Sequence, residues 1–390
     1  MNPPNAWVAI DAATSPTLRA QELRFAWELF LGQDDGEPDV RGPIADSWRR
    51  SLDAGVDPTG AHLAPVVADE LEVHERYEEH PLARHAALVR ACLAEMAEDL
   101  GYLIVISDAG GVLLSIEGSG AVRRRAAEMM NFAEGVLWSE HGAGTNAIGT
   151  AIAADHAVQV FGPEHFNEPV QRWTCSAAPI HDPDTGELLG VIDLTGDFST
   201  VHPHSLGVAS ATAQAVETAL RLELQETDAR IRLRYGDRVA SSPASRALVA
   251  PSGRAITALP SAWGTKGRLQ VPPGGGALVL PSGVEAVAEP VNSAHEAFVV
   301  HAVERRKNKR PLLSIDMLGR DRARLRMWGE ETEVRPRLAE ILALLCANPH
   351  GYSAEALCAD LHGDGGSPGS VRVEVSRLRK VLGPHIDTER

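Results

Sequence analysis

The sequence predicts an α+β multidomain protein: N-terminal helices, an antiparallel sheet with flanking helices, a small β-rich module, and a C-terminal domain of short strands and three helices. Three observations predict it. A chain of 390 residues exceeds what one hydrophobic core covers, so it divides. Apolar residues recur at helical spacing in some stretches, and elsewhere fall in short runs bounded by Gly, Pro and Asp turns. Composition also shifts along the chain, with a Gly- and Pro-dense stretch from 241 to 303. The hydrophobic fraction of 44% and charged fraction of 23% exclude wholesale disorder. The expected divisions are 1–80, 81–222, 223–310 and 311–390.

Leu18 to Leu31 and Ile44 to Leu52 predict two short amphipathic helices, the second following Pro43. The acidic stretch Asp34 to Asp39 reads as a solvated loop, and Glu70 to Glu79 as a charge-rich connection. A helix over Leu82 to Leu100 leads into a hairpin, Tyr102 to Ser107 and Val112 to Ile116 around Asp108-Ala109-Gly110-Gly111. After a further helix and a Gly-rich loop come strand runs at Val158 to Phe161, Ser176 to Ile180 and Leu188 to Leu194. The last two flank the turn Asp182 to Gly186, and together the runs form the antiparallel sheet.

The helix from His204 carries Ala213, Val216, Leu220, Leu224, Thr227 and Ile231 on one stripe. That spacing suits a two-stranded coiled coil, hence a homodimer, although a helix packed on its own domain has the same period. Ala277 to Leu280, Val284 to Val287 and Ala297 to Val300 predict a small β-meander acting as a spacer, followed by a basic linker, Arg305 to Arg310. In the last domain, strands at Leu312 to Met317, Arg324 to Trp328 and Thr332 to Val334 precede a helix opened by Pro336. Ser353 caps a second helix. Ser367 caps a third, whose core stripe is Val371, Val375, Leu378 and Leu382.

The first residues do not form a secretory signal and no apolar run spans a bilayer, so a cytoplasmic protein is expected. Cys92, Cys175, Cys346 and Cys358 include no C-x-x-C pair, which argues against a zinc ribbon or a dithiol site. His202 and His204 read better as a helix start than as metal ligands; no metal and no cofactor are expected. A net charge of -16 opposes general attraction to nucleic acid, so DNA contact requires a local basic concentration. One exists: residues 367–383 hold four basic residues and one acid.

The densest signal is FAEGVLWSEHGAGTNAIGTAIA from Phe132, VQVFGPEHF from Val158 and WTCSAAPIHDPDTGELLGVIDLTG from Trp173. These phrases resemble the GAF sensor at the front of acetoin-operon activators and related bacterial regulators of alcohol and ketone catabolism. The resemblance extends upstream to ADSWRRSLDAGVDP and covers residues 44–220. It implies a small-metabolite pocket. Gly142 and Gly144 permit a loop to come close to a guest, Phe132, Trp138, Phe161 and Trp173 supply walls, and Glu140, His141, Thr145, Asn146, Cys175 and Asp193 are polar groups available to orient it. Trp138 and Trp173 read equally well as core anchors and Asn146 as a helix cap; His165 offers a ligand contact but reads better as an exposed turn residue, and Asp193 reads slightly better as a structural hydrogen-bonding group than as a pocket acceptor. Adjacent Glu140 and His141 lack an accompanying nucleophile, so catalysis is not expected.

The chain contains no G-x-x-x-x-G-K-S/T phosphate loop, so ATP hydrolysis is not expected. The phrase SVRVEVSRLRKVLG resembles the recognition helix of OmpR-type winged-helix regulators. That resemblance implies a winged helix-turn-helix in which Ser370, Arg372, Val373, Ser376, Arg377, Arg379 and Lys380 meet bases or phosphates. Eight residues follow Leu382, fewer than a full wing hairpin needs, which suggests an abbreviated wing or a truncated chain. The expected function is a ligand-responsive transcription regulator. Its partners are double-stranded DNA, a small-molecule effector and a second copy, with RNA polymerase a further candidate and no membrane. The alternatives are a GAF-based redox sensor or enzyme, against which the sparse cysteines count, and a protein-interaction module.

Overall fold

The computed structural model describes residues 5–11, 13–32, 39–60, 63–98, 100–242, 245–265, 267–303, 314–316, 322–327, 330–348 and 350–382. It separates into two compact units, residues 1–302 and 303–390. No helix among the described residues is long and apolar enough to cross a membrane.

The first unit opens with α1 (Pro16–Leu31) and α2 (Gly42–Asp53), each with Pro in its first turn, where the missing N–H costs nothing. They turn Leu23, Ala26 and Trp27, and Ile44 and Trp48, inward. The charge-rich connection is in fact a helix, α3 (Glu70–Glu79). The Asp69 side chain accepts the Glu72 amide at its start, and Glu70 and Glu72 sit at the positive end of its dipole. Val73 is its buried residue, so the apolar period that marks a helix is missing from its sequence.

Then come α4 (Ala86–Glu98), β1 (Leu103–Asp108), β2 (Leu113–Glu117), α5 (Gly120–Met130), α6 (Glu140–Ala143), α7 (Ala147–Ala154), β3 (Val158–Phe161), β4 (Trp173–His181), β5 (Leu188–Asp197) and α8 (Ser205–Tyr235). The strands form one antiparallel sheet in the order β2-β1-β5-β4-β3. One face, with Ile104, Ile106, Ile180, Ile192 and Leu194, is closed by α4 and by Ala209, Ala213, Val216 and Leu220 of α8. The other face, with Val105, Val160, Trp173, Cys175 and Val191, lies under the layer of α1, α2, α5, α6 and α7. Burial on both faces is why the strands read as continuous apolar runs.

Most of the α8 stripe is therefore spent within the chain, with Leu224 and Thr227 half-buried between its two halves. Its first half closes on the sheet; Ile231 and Tyr235 lie against the next module. That module contains α9 (Asp237–Ala240), β6 (Arg246–Val249), β7 (Gly276–Val279), β8 (Glu285–Pro290) and β9 (Phe298–Ala302). Strands β7, β8 and β9 make the expected meander, and β6, which sequence reading missed, joins at β9. Arg254 ties the module down: its guanidinium donates to Asp184 at the β4–β5 turn (2.8 Å) and to both oxygens of Asp228 on α8 (2.6 and 2.9 Å).

The second unit has a three-stranded antiparallel sheet, β10 (Ser314–Asp316), β11 (Ala323–Met327) and β12 (Glu330–Val334), followed by α10 (Pro336–Ala347), α11 (Ala354–His362) and α12 (Pro368–Leu382). Leu325, Val334, Leu338, Ile341, Leu342, Leu357, Val371, Leu378 and Leu382 form its core. Ser353 caps α11 by accepting the Ala356 amide at 3.1 Å. The basic linker and the eight residues after Leu382 lie outside the described residues, as does most of the acidic stretch at 34–39.

Candidate functional site

Five of the residues expected around a guest meet on one face of the first unit's sheet. Phe132 and Trp138 pack edge to face, centroids 4.6 Å apart. Both share a core with Trp173 and Cys175 of β4. Asp193 of β5 is registered against Ala177 and Val105, and Thr195 against Cys175, so their side chains project to the same face. All are buried. Thr195 Oγ1 lies 2.5 Å from Asp193 Oδ2 and 3.2 Å from Cys175 Sγ.

Three polar atoms of this cluster, Trp138 Nε1, Trp173 Nε1 and Asp193 Oδ1, are buried without a hydrogen-bond partner among the described residues. Burial pushes the Asp193 carboxyl up to about 7, partly offset by the Thr195 hydroxyl and the Ser176 backbone amide. Near neutral pH it therefore exists in both forms. Protonated, it can donate to Thr195, which leaves the Thr195 hydroxyl free for Cys175. Burial also pushes the Cys175 thiol well up, with the neighbouring Asp193 adding to it. That environment keeps a thiol rather than a reactive thiolate, which counts against redox sensing there. Two N–H donors and one carboxyl oxygen left without a partner are the chemistry that a small oxygen-bearing guest would complete.

Other expected residues shape the cluster rather than face it. Glu140 accepts from Ser47 Oγ (2.5 Å) and from Arg50 Nε and Nη2 (2.5 and 2.8 Å). Thr145 Oγ1 lies 2.7 Å from Ser47 Oγ. Asn146 caps α7, accepting the Gly149 amide at 2.9 Å, and donates to the carbonyls of Trp138 and Gly144. A Cβ on Gly142 would stand 2.6 Å from the Leu137 carbonyl, and Gly144, at φ +71°, abuts Phe166; both glycines serve the loop's own packing. His141 is exposed. Phe161 points to the opposite face, where it stacks on Phe198 with centroids 4.9 Å apart. His165, read as an exposed turn residue, is fully buried: Nδ1 lies 2.9 Å from the Gly162 carbonyl, and burial lowers its pKa to about 4, leaving the ring neutral. Among the described residues no cluster of His, Cys, Asp or Glu could hold a metal ion.

Sequence reading missed the residues that hold the covering layer. Arg41 donates to both oxygens of fully buried Glu164 (2.8 and 2.6 Å), and Arg50 grips Glu140 in the same two-pronged way. A signal was present: Ser47 and Ser51 lie at helical spacing beside Ile44 and Trp48 on the buried side of α2, with half-exposed Arg50 at its edge. Gln159 was also passed over. Its amide donates to the His202 carbonyl and to Ser205 Oγ, both at 2.9 Å, seating the start of α8 against the sheet.

In the second unit, α12 turns Val371, Leu378 and Leu382 into the core and leaves Ser370, Arg372, Val373, Ser376, Arg377, Arg379 and Lys380 exposed. Val373 is an apolar side chain 52% exposed in the middle of this basic face. Arg377 pairs with Glu374 at 2.6 Å, and Arg372 lies 3.5 Å from Glu355. Such exposed pairs contribute little to stability.

Residues 19–218, about half of the chain, match the family described as MimR, N-terminal domain. The chain belongs to this family. Its MimR N-terminal domain comprises most of α1 and all that follows to the middle of α8. The chain is 33% identical over 388 residues to an uncharacterized 47.3 kDa protein in the thcA 5' region of Rhodococcus erythropolis, covering 97% of this chain and 70% of the relative. It is 35% identical over 220 residues to the acetoin dehydrogenase operon transcriptional activator AcoR of Bacillus subtilis, covering 55% of this chain and 36% of that one. With the propane 2-monooxygenase operon transcriptional activator MimR of Mycolicibacterium smegmatis the identity is 31% over 217 residues, covering 55% of this chain and 35% of the activator. The chain thus spans about a third of the length of those two activators. The resemblance of the FAEGVLWSEHGAGT region to acetoin-operon activators holds within the MimR N-terminal domain. A solved chain of the E. coli DhaR(N)–DhaL complex aligns over 67% of this chain and 98% of its own, with a TM-score of 0.45 and 16% identity.

Proposed function

We propose that the chain is a cytoplasmic transcription regulator. Its MimR N-terminal domain takes up a small metabolite in a GAF-type pocket, and its second unit, an OmpR-type winged helix, binds promoter DNA. The observation that carries this reading is α12: in a chain of net charge -16, seven residues of one basic helix face are left to solvent. Kinship of the MimR N-terminal domain, residues 19–218, with transcriptional activators supports it from the other end.

In this reading Arg372 and Arg377 meet guanine edges or phosphates, Val373 meets a thymine methyl, and Lys380 and Arg379 neutralise phosphates. The effector is small, with at least one oxygen to receive the indole N–H groups of Trp138 and Trp173 and a hydroxyl or carbonyl to meet Asp193. Catalysis has no part in it. Output runs through the DNA-binding unit.

The regulator works as a dimer. The expected α8 stripe is occupied within one copy, so the second copy meets the other side of the helix, where Leu222 is 56% and Leu233 91% exposed. Effector binding shifts the sheet, the seat of α8 at Gln159 and Ser205 follows, and the DNA-binding units change their separation.

Genome-wide mapping of sites bound by the full chain, followed by titration of a recovered fragment, tests this. Affinity falls steeply with salt, and Arg377→Ala weakens binding by about 1–3 kcal/mol while relaxing sequence preference. Lys380→Ala weakens it evenly and lowers the salt slope by about 1. Unchanged occupancy in both variants removes the reading.

A further inference from the structure

We propose that α1 and α2 form a strap closing the cluster around Asp193, with Arg41 and Arg50 as positioning residues whose ion pairs hold the strap shut until a guest enters. The proposal rests on reading that cluster as the effector site.

The strap is held by directed polar contacts, and they converge on two short stretches of the sheet domain. Arg50 grips Glu140 at the start of α6. Arg41 grips Glu164 and also donates to the carbonyls of Ala6 and Gln159, both at 2.7 Å. Trp48 Nε1 donates to the Glu164 carbonyl (2.7 Å) and Trp27 Nε1 to the Phe166 carbonyl (2.9 Å). Behind these contacts Trp27, Ile44 and Trp48 share one continuous core with Trp138, Trp173 and Cys175. The unsatisfied atoms of the cluster are fully enclosed, so a guest reaches them only if a piece of the wall moves.

Topology selects the strap as that piece. Helices α5, α6 and α7 are threaded between strands β2 and β3 and cannot lift without pulling on the sheet. The strap precedes β1 in the chain and contributes no strand to the sheet, so its departure breaks no ladder. Electrostatics makes the movement cooperative. Glu140 and Glu164 are buried carboxylates, and each becomes uncompensated when its arginine leaves unless water follows at once. Closed and open states are then separated by concerted loss of both pairs rather than by gradual fraying.

Cys175 reports the event, because it faces the cluster and is buried as a neutral thiol. The full-length chain and the variants Arg50→Met and Arg50→Met/Glu140→Gln, the second of which leaves no lone carboxylate, are treated with N-ethylmaleimide, and each cysteine is followed by peptide mass spectrometry. Exposed Cys92 and Cys346 mark the fast limit; Cys358, buried in the second unit, monitors folding there. Amide exchange is read in parallel over residues 16–53 and over β1 and β5. Cys175 is expected to label about tenfold faster or more in both variants, with 16–53 exchanging faster and β1, β5 and Cys358 unchanged. The proposal is overturned if the strap amides loosen while Cys175 keeps its original rate, if β1 and β5 lose protection together with the strap in both variants, or if neither readout moves. The assay contains neither effector nor DNA, so its failure leaves promoter binding by α12 to be judged separately.

Discussion

Asp193 joins chemistry and stability at a single residue. Its carboxyl titrates at about 7 when folded, against an ordinary value of 3.8, because burial disfavours the charge. The sign follows from the raised value: the carboxyl costs nothing below about pH 3.8, and its cost grows as pH rises through about 7. The gap corresponds to on the order of 4 kcal/mol at full ionisation. Asp193→Asn keeps an acceptor for Thr195 and cannot ionise. The variant is therefore expected to gain stability relative to the parent as pH rises from 5 to 8, read as a growing difference in Tm. A pH-independent difference would mean that Asp193 ionises freely in the folded state. His165 shows how sequence misleads at this scale, since the phrase EHF between Gly and Asn looks like a surface turn. In the fold it is buried, its ring Nδ1 against the Gly162 carbonyl and its own carbonyl accepting from the Gln171 side chain.

Among the elements, α8 has the most divided role. Its sheet-facing stripe belongs to one core, its second half to another, and Arg254 pins the β6–β9 module to it through Asp228 while holding the β4–β5 turn through Asp184. Arg254→Met removes the two-pronged partner of Asp228, which is nearly enclosed, while Asp184 keeps Ser252 and Arg268. The expected loss is on the order of 2–3 kcal/mol, below that of a fully buried pair because Arg254 keeps about a fifth of its surface in water. Hydrogen exchange should find the β6–β9 amides less protected and β1 and β5 unaffected. If both regions lose protection equally, the module and the sheet form one cooperative unit without a separable joint.

At the scale of the molecule, the proposed dimer is the property on which signalling depends. Leu222 and Leu233 are large apolar side chains left in water on a helix whose other large apolar residues are buried or half-buried. Sedimentation velocity of the full-length chain is expected to give a dimer, and Leu222→Glu/Leu233→Glu a monomer with the Tm preserved. A parent chain that sediments as a monomer over the micromolar range contradicts the proposed dimer.

The sequence by itself determined the elements with strong period or turn chemistry: the β1–β2 hairpin around its Gly-Gly turn, α8, the helices opened by Pro336 and capped by Ser353, and the apolar and basic sides of α12. These are local, because spacing and capping act within a few residues. It also carried the family, through a long run of residues from Phe132 to Gly196. Tertiary structure alone decided what those residues do. Glu140, Thr145 and Asn146 are consumed by Arg50, Ser47 and the α7 cap; Phe161 falls on the far face because strand register is set by pairing partners. The same stripe on α8 could have met a second copy, and its own sheet and the β6–β9 module took most of it. Period records that a face is buried, and only the folded chain supplies what buries it.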